Sequence, residues 1–142
     1  MDSLDLKILK LLQEKGRMSI KKIAEIVSLT PPAAAERIKK LEDAGVILGY
    51  RAIIDHKKLG KSIRAFIIVT LSPDKRAEFI EFTRGCSFIL EVHHVTGGFS
   101  MLVRAVFSEM SELEAMVGRI QQYGNTQTLI VLSTPVELRV IT

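Results

Sequence analysis

Residues 29–45 read LTPPAAAERIKKLEDAG, with two adjacent prolines at the front of an otherwise strong helical pattern. The first four N–H groups of a helix have no partner within it, so prolines there remove no helix hydrogen bond. With Thr30 as N-cap, Pro31 falls at N1 and Pro32 at N2. The prolines start a helix rather than break one. Leu29 precedes the cap and can staple against Ala34. Ala34, Ile38 and Leu41 form the stripe expected to be buried, and Gly45 stands where a helix ends. Pro32, Ala33, Ala35, Glu36, Arg37, Lys39 and Lys40 are left for other faces.

Two more helices precede this one. Leu4, Ile8, Leu11 and Leu12 recur at helical spacing, with Asp2 or Ser3 able to cap the start and Gly16 to close the end in the left-handed region. Ser19 can cap a short second helix that turns Ile23, Ala24 and Val27 inward. Only Ser28-Leu29-Thr30 separates it from the proline-led helix. Helix, tight turn, helix is the helix-turn-helix plan, in which the second helix enters the DNA major groove with its N-terminal residues near base edges. Small Ala33 and Ala35 let that front end approach another surface closely. Geometry alone also allows a plain three-helix packing unit.

Charge bears on the same choice, although a lysine-rich surface can also serve solubility alone. Residues 1–62 hold 13 Lys/Arg against 8 Asp/Glu, a net +5, while residues 63–142 hold 7 against 8, a net −1. A basic half beside a near-neutral half points to a polyanion partner for one part only. The composition, 47% apolar and 25% charged in 142 residues, is that of a globular chain with room for one ordinary domain or two small ones. No apolar run approaches the roughly 18–20 residues of a membrane helix, and the N-terminus lacks the layout of a secretory signal. Cys86 is the single cysteine, which excludes an internal disulfide and suits a reducing cytoplasm.

After Gly45 the texture changes. Val46 to Asp55 is rich in β-branched and aromatic residues and reads as a strand, and His56–Lys61 reads as a basic linker. Beyond it the spacing predicts a strand over 63–71, a helix over 74–84 introduced by Ser72-Pro73 and ended by Gly85, and strands over 88–95 and 99–107 around a Gly97-Gly98 turn. A helix with stripe Met110, Leu113, Val117 and Ile120 and a capping box Ser111-x-x-Glu114 follows, then a strand over 126–134. The order βαββαβ is the ferredoxin-like plan. The fold class is therefore α+β: a three-helix (winged) helix-turn-helix, residues 1–50, a strand-bearing linker, 51–62, and a ferredoxin-like domain, 63–142. Both helices of such a domain cover one sheet face. The other face, to which Ile89 and Val95 are assigned beside Glu91 and His93, stays partly apolar and predicts a dimer through it.

This combination resembles the Lrp/AsnC regulators, also called feast/famine regulators. The similarity covers nearly the whole chain. It begins at MDSLDLKILKLL, continues through LTPPAAAERIKKLEDAGVILGY with Arg37, Leu41 and Gly49-Tyr50, and ends at VHHVTGG. The resemblance implies a transcription regulator that dimerises through its βαββαβ domain, assembles into octamers or similar rings, and binds amino acids or related small molecules between subunits. It also implies that the strand around Tyr50–Asp55 helps pair two chains, whose helix-turn-helix units then face successive major grooves.

For DNA, base-edge contacts are expected from Thr30, Pro32, Ala33, Glu36 and Arg37 at the front of the third helix. Arginine can hold guanine by two hydrogen bonds and alanine can touch a thymine methyl. Lys21, Lys22, Lys40 and Arg51 are the phosphate candidates, a plain solvated basic face being the other reading of them, and Ser19 is a further candidate for DNA contact. Glu36 has a plainer role open to it, pairing with Lys40 at i+4, and Arg37 can pair within its own domain. For the effector, the resemblance implies the Gly-Gly turn and the start of the last strand: Thr96, Gly97, Gly98, Ser100, Asn125, Thr126 and Thr128. Many members carry an aspartate shortly after that glycine, where this chain has Ser100.

Enzyme readings find little support. His93 and His94 are adjacent on a strand and point to opposite faces, so they cannot readily share an ion; one is expected packed and the other at the dimer face, bonded to Glu91 across strands. No phosphate-cradling glycine loop is present, and neither metal nor cofactor is expected. The alternative to a regulator is a small ferredoxin-like ligand sensor or enzyme whose helical N-terminus is only a packing unit.

Overall fold

Helix α1 (Ser3–Glu14) begins where two aspartates cap each other. Asp2 Oδ1 accepts from the N–H groups of Leu4 and Asp5, and Asp5 Oδ2 accepts from the Asp2 N–H, each at 2.9 Å. This reciprocal capping box satisfies three N–H groups left over by the helix. The helix ends at Lys15, whose N–H bonds Leu11 O at 2.9 Å. Gly16 is not in the left-handed region; Lys15 closes the turn instead. The computed structural model describes residues 1–141.

Helix α2 (Ile20–Ile26) starts at Ser19, whose hydroxyl accepts from the Lys22 N–H at 3.2 Å. It ends through Ser28 at φ 57°, with Leu29 N–H returning to Ala24 O at 2.9 Å. Helix α3 (Pro31–Asp43) follows, with Thr30 as its cap and the two prolines in its first turn. Gly45 at φ 67° repeats the same closure, sending its own N–H to Glu42 O and the Val46 N–H to Leu41 O, both at 2.9 Å. Both ends are Schellman motifs, one built on the expected glycine and one on a serine that pays a steric cost for the left-handed position. Ile8, Ile23, Val27, Ile38 and Leu41 form the core of the three helices, with Leu4, Leu11, Leu12 and Leu29 packed around it.

Residues 46–55 form no strand among the described residues. A strand exists only through cross-strand partners. The Val46 and Ile47 N–H groups both return to Leu41 O, and Tyr50 donates its hydroxyl to Glu42 Oε1 at 2.9 Å. A short 3-10 turn, His56–Leu59, occupies the basic linker. The chain divides into two compact units: Met1–Ile53 together with the chain from Val136 on, and Ile54–Pro135. The end of the chain thus groups with the helices, not with the sheet as expected of residues 63–142. The Gln13 carboxamide fixes it, donating to Ile141 O at 3.2 Å and accepting from the Ile141 N–H at 3.3 Å.

The second unit is an antiparallel sheet of β1 (Ile63–Thr70), β2 (Ile89–His94), β3 (Met101–Phe107) and β4 (Asn125–Ile130) in the order β2-β3-β1-β4. Helices α4 (Arg76–Arg84) and α5 (Met110–Ile120) make the crossovers, so the chain follows βαββαβ. A 3-10 turn, Pro73–Lys75, takes the expected first turn of α4. Alternation buries Ala65, Ile67 and Val69 of β1 and Met101, Val103, Ala105 and Phe107 of β3 in one core with Phe79, Leu113, Met116 and Ile120. Each large apolar side chain so buried contributes roughly 1.5–3 kcal/mol. Helix α5 begins one residue before Ser111, so the expected capping box does not form; Glu112 Oε2 instead accepts from the Ser108 N–H at 2.7 Å. Met116, not the exposed Met110, completes its stripe.

Paired residues of antiparallel strands share a face. The register therefore puts Arg64, Phe66, Ile68, Leu102, Arg104, Glu91, His93, Gln127 and Leu129 on the face opposite the helices. Ile89 is not among them. The register shifts between Ile89 and Glu91, so Ile89 pairs with Ala105 while Glu91 pairs with Arg104. The extra residue of this bulge turns Ile89 onto the helix-covered core, correcting its expected place beside Glu91 and His93.

Candidate DNA interface and effector site

Helical periodicity fixes what α3 shows to the outside. Ala34, Ile38 and Leu41 are buried, while Pro32, Glu36, Lys39 and Lys40 are exposed and Ala33, Ala35 and Arg37 half-buried. Pro32, Glu36 and Lys39 follow one another down the outward face at i, i+4 and i+7. Lys39, exposed beside Asp43 at 3.0 Å, was not among the expected contacts, although the same periodicity places it on this line. Thr30 caps the helix, its hydroxyl oxygen accepting from the Ala33 N–H at 3.4 Å. Glu36 lies 2.8 Å from Lys40, which holds its carboxyl below the usual range.

Arg37 points elsewhere. Its guanidinium donates to Asp2 Oδ2 at 2.8 Å and Asp5 Oδ1 at 2.7 Å, tying α3 to the cap of α1. Asp2 and Asp5 are held below their ordinary value, first by the backbone N–H each accepts from the other's residue and then by Arg37. Arg37 in turn is raised, first by Asp5 and then by Asp2. Of its two roles, the pairing within the domain is the one seen. A groove of about 530 Å³ beside this cluster is lined by Asp5, Ala33, Glu36, Arg37 and Lys40 among others. Lys21, Lys22 and Arg51 are exposed, with Lys22 3.1 Å from Glu25, and Ser19 is used as the α2 cap.

The effector candidates gather at one end of the sheet. Gly97, at φ 120°, turns the β2–β3 hairpin, and Thr96 and Gly98 are exposed with it. Ser100 follows, its N–H bonded to Val69 O at 3.0 Å. Its hydroxyl accepts from the Leu71 N–H at 3.3 Å and donates to Leu71 O at 3.0 Å, so it ties two strand ends together. Asn125 pairs with Thr70 at the same end. Thr126 accepts from Gln121 Nε2 at 3.1 Å. Thr126 and Thr128 pair with the buried Val69 and Ile67, which turns them toward the helices, whereas Asn125 belongs to the opposite face. The sheet thus brings the seven residues to one end but does not aim their side chains at one point.

His93 and His94 are both exposed, so neither is packed as expected. His93 Nε2 lies 3.3 Å from Glu91 on its own strand, not across strands, and Arg104 supplies the cross-strand partner at 3.0 Å. Among the described residues no three His, Cys, Asp or Glu side chains gather where one metal ion could be held.

A helix-turn-helix with an exposed, proline-led second helix, joined to a βαββαβ sheet, defines a DNA-binding regulator. Comparison with known proteins agrees at both ends: a family profile described as winged helix-turn-helix DNA-binding matches residues 1–47, and one described as Lrp/AsnC ligand binding domain matches residues 64–141. The chain belongs to the Lrp/AsnC family. It is 37% identical to the uncharacterized HTH-type transcriptional regulator YezC of Bacillus subtilis, over 94% of this chain and 95% of the relative. It is 32% identical to the leucine-responsive regulatory protein of Haemophilus influenzae, over 93% and 84%. Among solved structures, the L-Met complex of a transcriptional regulator from Neisseria meningitidis superposes with a TM-score of 0.94 at 28% identity, over 100% of this chain and 96% of that one. The protein is a DNA-binding transcription regulator, not an enzyme.

Proposed function

We propose that two copies of the chain, joined through the open sheet faces, present their α3 helices to successive major grooves, and that an amino acid at the hairpin end of the sheet modulates binding. The exposed, proline-led front of α3 carries this reading. Thr30, Pro32, Ala33 and Glu36 mark the base-facing front, with Lys39 added to it, while Arg37, first expected among them, holds that front to the cap of α1. Ser19, Lys21, Lys22, Lys40 and Arg51 serve the phosphates. Phe66, Ile68, Leu102 and Leu129 on the face opposite the helices support the dimer; a ring of such dimers, up to an octamer, and a cytoplasmic location complete the proposal. In this reading residues 1–50 bind DNA, 51–62 link, and the sheet domain expected over 63–142 dimerises and holds the effector with its part up to Pro135, the chain beyond standing with the helices.

The effector reading draws on the ligand-binding match, on the neighbour solved with L-Met and on the relative named leucine-responsive. Because Ser100 and Thr126 are engaged internally, the ligand's charged ends fall to Thr96, to the backbone of Gly97 and Gly98, and to Asn125, with Thr128 at the inner margin. Glycines there leave room for a ligand against the backbone.

Titration of a duplex from the gene's own upstream region at about 50 and 200 mM salt tests the DNA half. Replacing Lys21 and Lys22 by Ala weakens binding to all sequences and flattens the salt slope by about one unit per lost phosphate contact. An unchanged slope removes these lysines from the interface. Thermal-shift screening of the twenty amino acids tests the effector half; no stabilisation at millimolar concentration refutes it.

A further inference from the structure

The front of α3 has an unusual inventory of hydrogen-bonding groups. Pro31 and Pro32 carry no N–H. The Ala33 N–H is bonded to the Thr30 hydroxyl at 3.4 Å and the Ala34 N–H to Thr30 O at 3.0 Å. The Arg37 guanidinium is held by two carboxylates at 2.7 and 2.8 Å. Glu36 and Lys40 face each other at 2.8 Å, and Lys39 is turned back along the helix to Asp43. What the tip presents outward beyond these bonded groups is mainly apolar, the ring of Pro32 and the β-methyls of Ala33 and Ala35, all at least partly exposed, with the Thr30 O–H as the hydroxyl donor beside them.

Of the groups that base pairs display in the major groove, one is apolar: the C5-methyl of thymine. We infer that α3 chooses its sequence chiefly by packing Pro32, Ala33 and Ala35 against thymine methyls, and not by an arginine–guanine fork. Arg37 is a positioning residue that keeps the tip at its angle to α1. This rests on the reading that α3 enters the major groove, and it names the chemical feature read there. Contact with a methyl is worthwhile only where the protein surface comes close. Two prolines and two alanines are residues with little side chain to hold such surfaces apart.

The test replaces thymine by uracil, which removes the methyl and leaves pairing and the groove's hydrogen-bonding groups in place. The full-length protein selects a duplex from a random pool, and the bound site is remade with dU for dT, or with 7-deaza-dG for dG. Each contacted methyl removed weakens binding about three- to fourfold, from the transfer of one methylene-sized group. The 7-deaza-dG duplex, which lacks the N7 acceptor an arginine fork needs, binds as the parent does. Replacing dC by 5-methyl-dC at a non-preferred contacted position strengthens binding. Equal affinity for the dT and dU duplexes, or a loss confined to 7-deaza-dG, overturns the inference while leaving DNA binding intact. Failure to select any duplex overturns the groove reading itself, and the inference with it.

Discussion

The two candidate sites differ in how far their side chains stand clear of the fold. On α3, Pro32, Glu36, Lys39 and Lys40 lie outside the packing, and their ion pairs are exposed i,i+4 contacts of the kind that contribute little to stability. At the end of the sheet, Ser100 bridges two strand ends and Thr126 bonds Gln121. Substitutions on the outward face of α3 should therefore change binding and leave stability alone, whereas substitutions at the sheet end should change stability first. The exception on α3 is Arg37, which follows the rule of the sheet.

The largest effect is expected in the smaller core. Ile8 is fully buried among Ile23, Val27, Ile38 and Leu41, and small units bury too little surface to tolerate a cavity. Ile8→Ala should destabilise the helical unit by about 2–5 kcal/mol and abolish DNA binding. The amides of Ile67, Val103 and Phe107 should keep their hydrogen-exchange protection. If those sheet amides lost protection to the same degree, the two units would not be independent and the contrast between the sites would fail.

The contrast also separates what could be read in advance from what could not. Caps and stripes are local: Asp2, Ser19, Thr30 and Pro31 each act within four residues and were legible, although the Gly16 closure, the box of Ser111 and Glu114 and the place of Met110 in the α5 stripe, equally local, did not form as expected. The alternation Met101, Val103, Ala105, Phe107 was legible for the same reason. Features that depend on distant partners were not. The bulge that turns Ile89 inward exists only against β3. The expected strand over 46–55 has no partner among the described residues, and Ile141 meets Gln13 across 128 positions. Ser28 in the left-handed region escaped notice because the Schellman closure usually falls to glycine or asparagine. The effector residues came from family resemblance alone, which names positions without saying which hydroxyls are already bonded.

A smaller effect belongs to Ser100. Its half-buried hydroxyl both accepts from and donates to Leu71. Ser100→Ala should cost roughly 1–2 kcal/mol, read as a lower urea midpoint of the sheet unit. Any change in amino-acid binding should be no larger than this loosening accounts for. A variant of wild-type stability that no longer responded to amino acids would instead make Ser100 a direct ligand contact.

The smallest effect at neutral pH is expected at Arg37, whose ion pairs are partly open to solvent and screened, but it carries a pH signature that cavity variants lack. Asp2 and Asp5 have folded-state values below the ordinary 3.8. A carboxyl depressed by folding adds stability that is fully present above its unfolded value and is lost as pH falls through the folded one. The tie between α1 and α3 should therefore stabilise the helical unit at neutral pH and fade on acidification below about pH 4. Arg37→Met removes only the second cause of the shift, because the reciprocal backbone N–H groups, the larger cause, remain. The variant should be less stable than the parent at pH 7, still lose stability in acid, and converge with the parent once both carboxyls are protonated. Urea midpoints of the two proteins at pH 7 and at the lowest pH at which both still unfold cooperatively check this. A gap of the same size at both pH values would mean that Arg37 acts through its aliphatic stem and not through the two aspartates. The guanidinium would then be held less firmly than its distances indicate and would become available to a guanine, weakening the case that α3 reads thymine methyls.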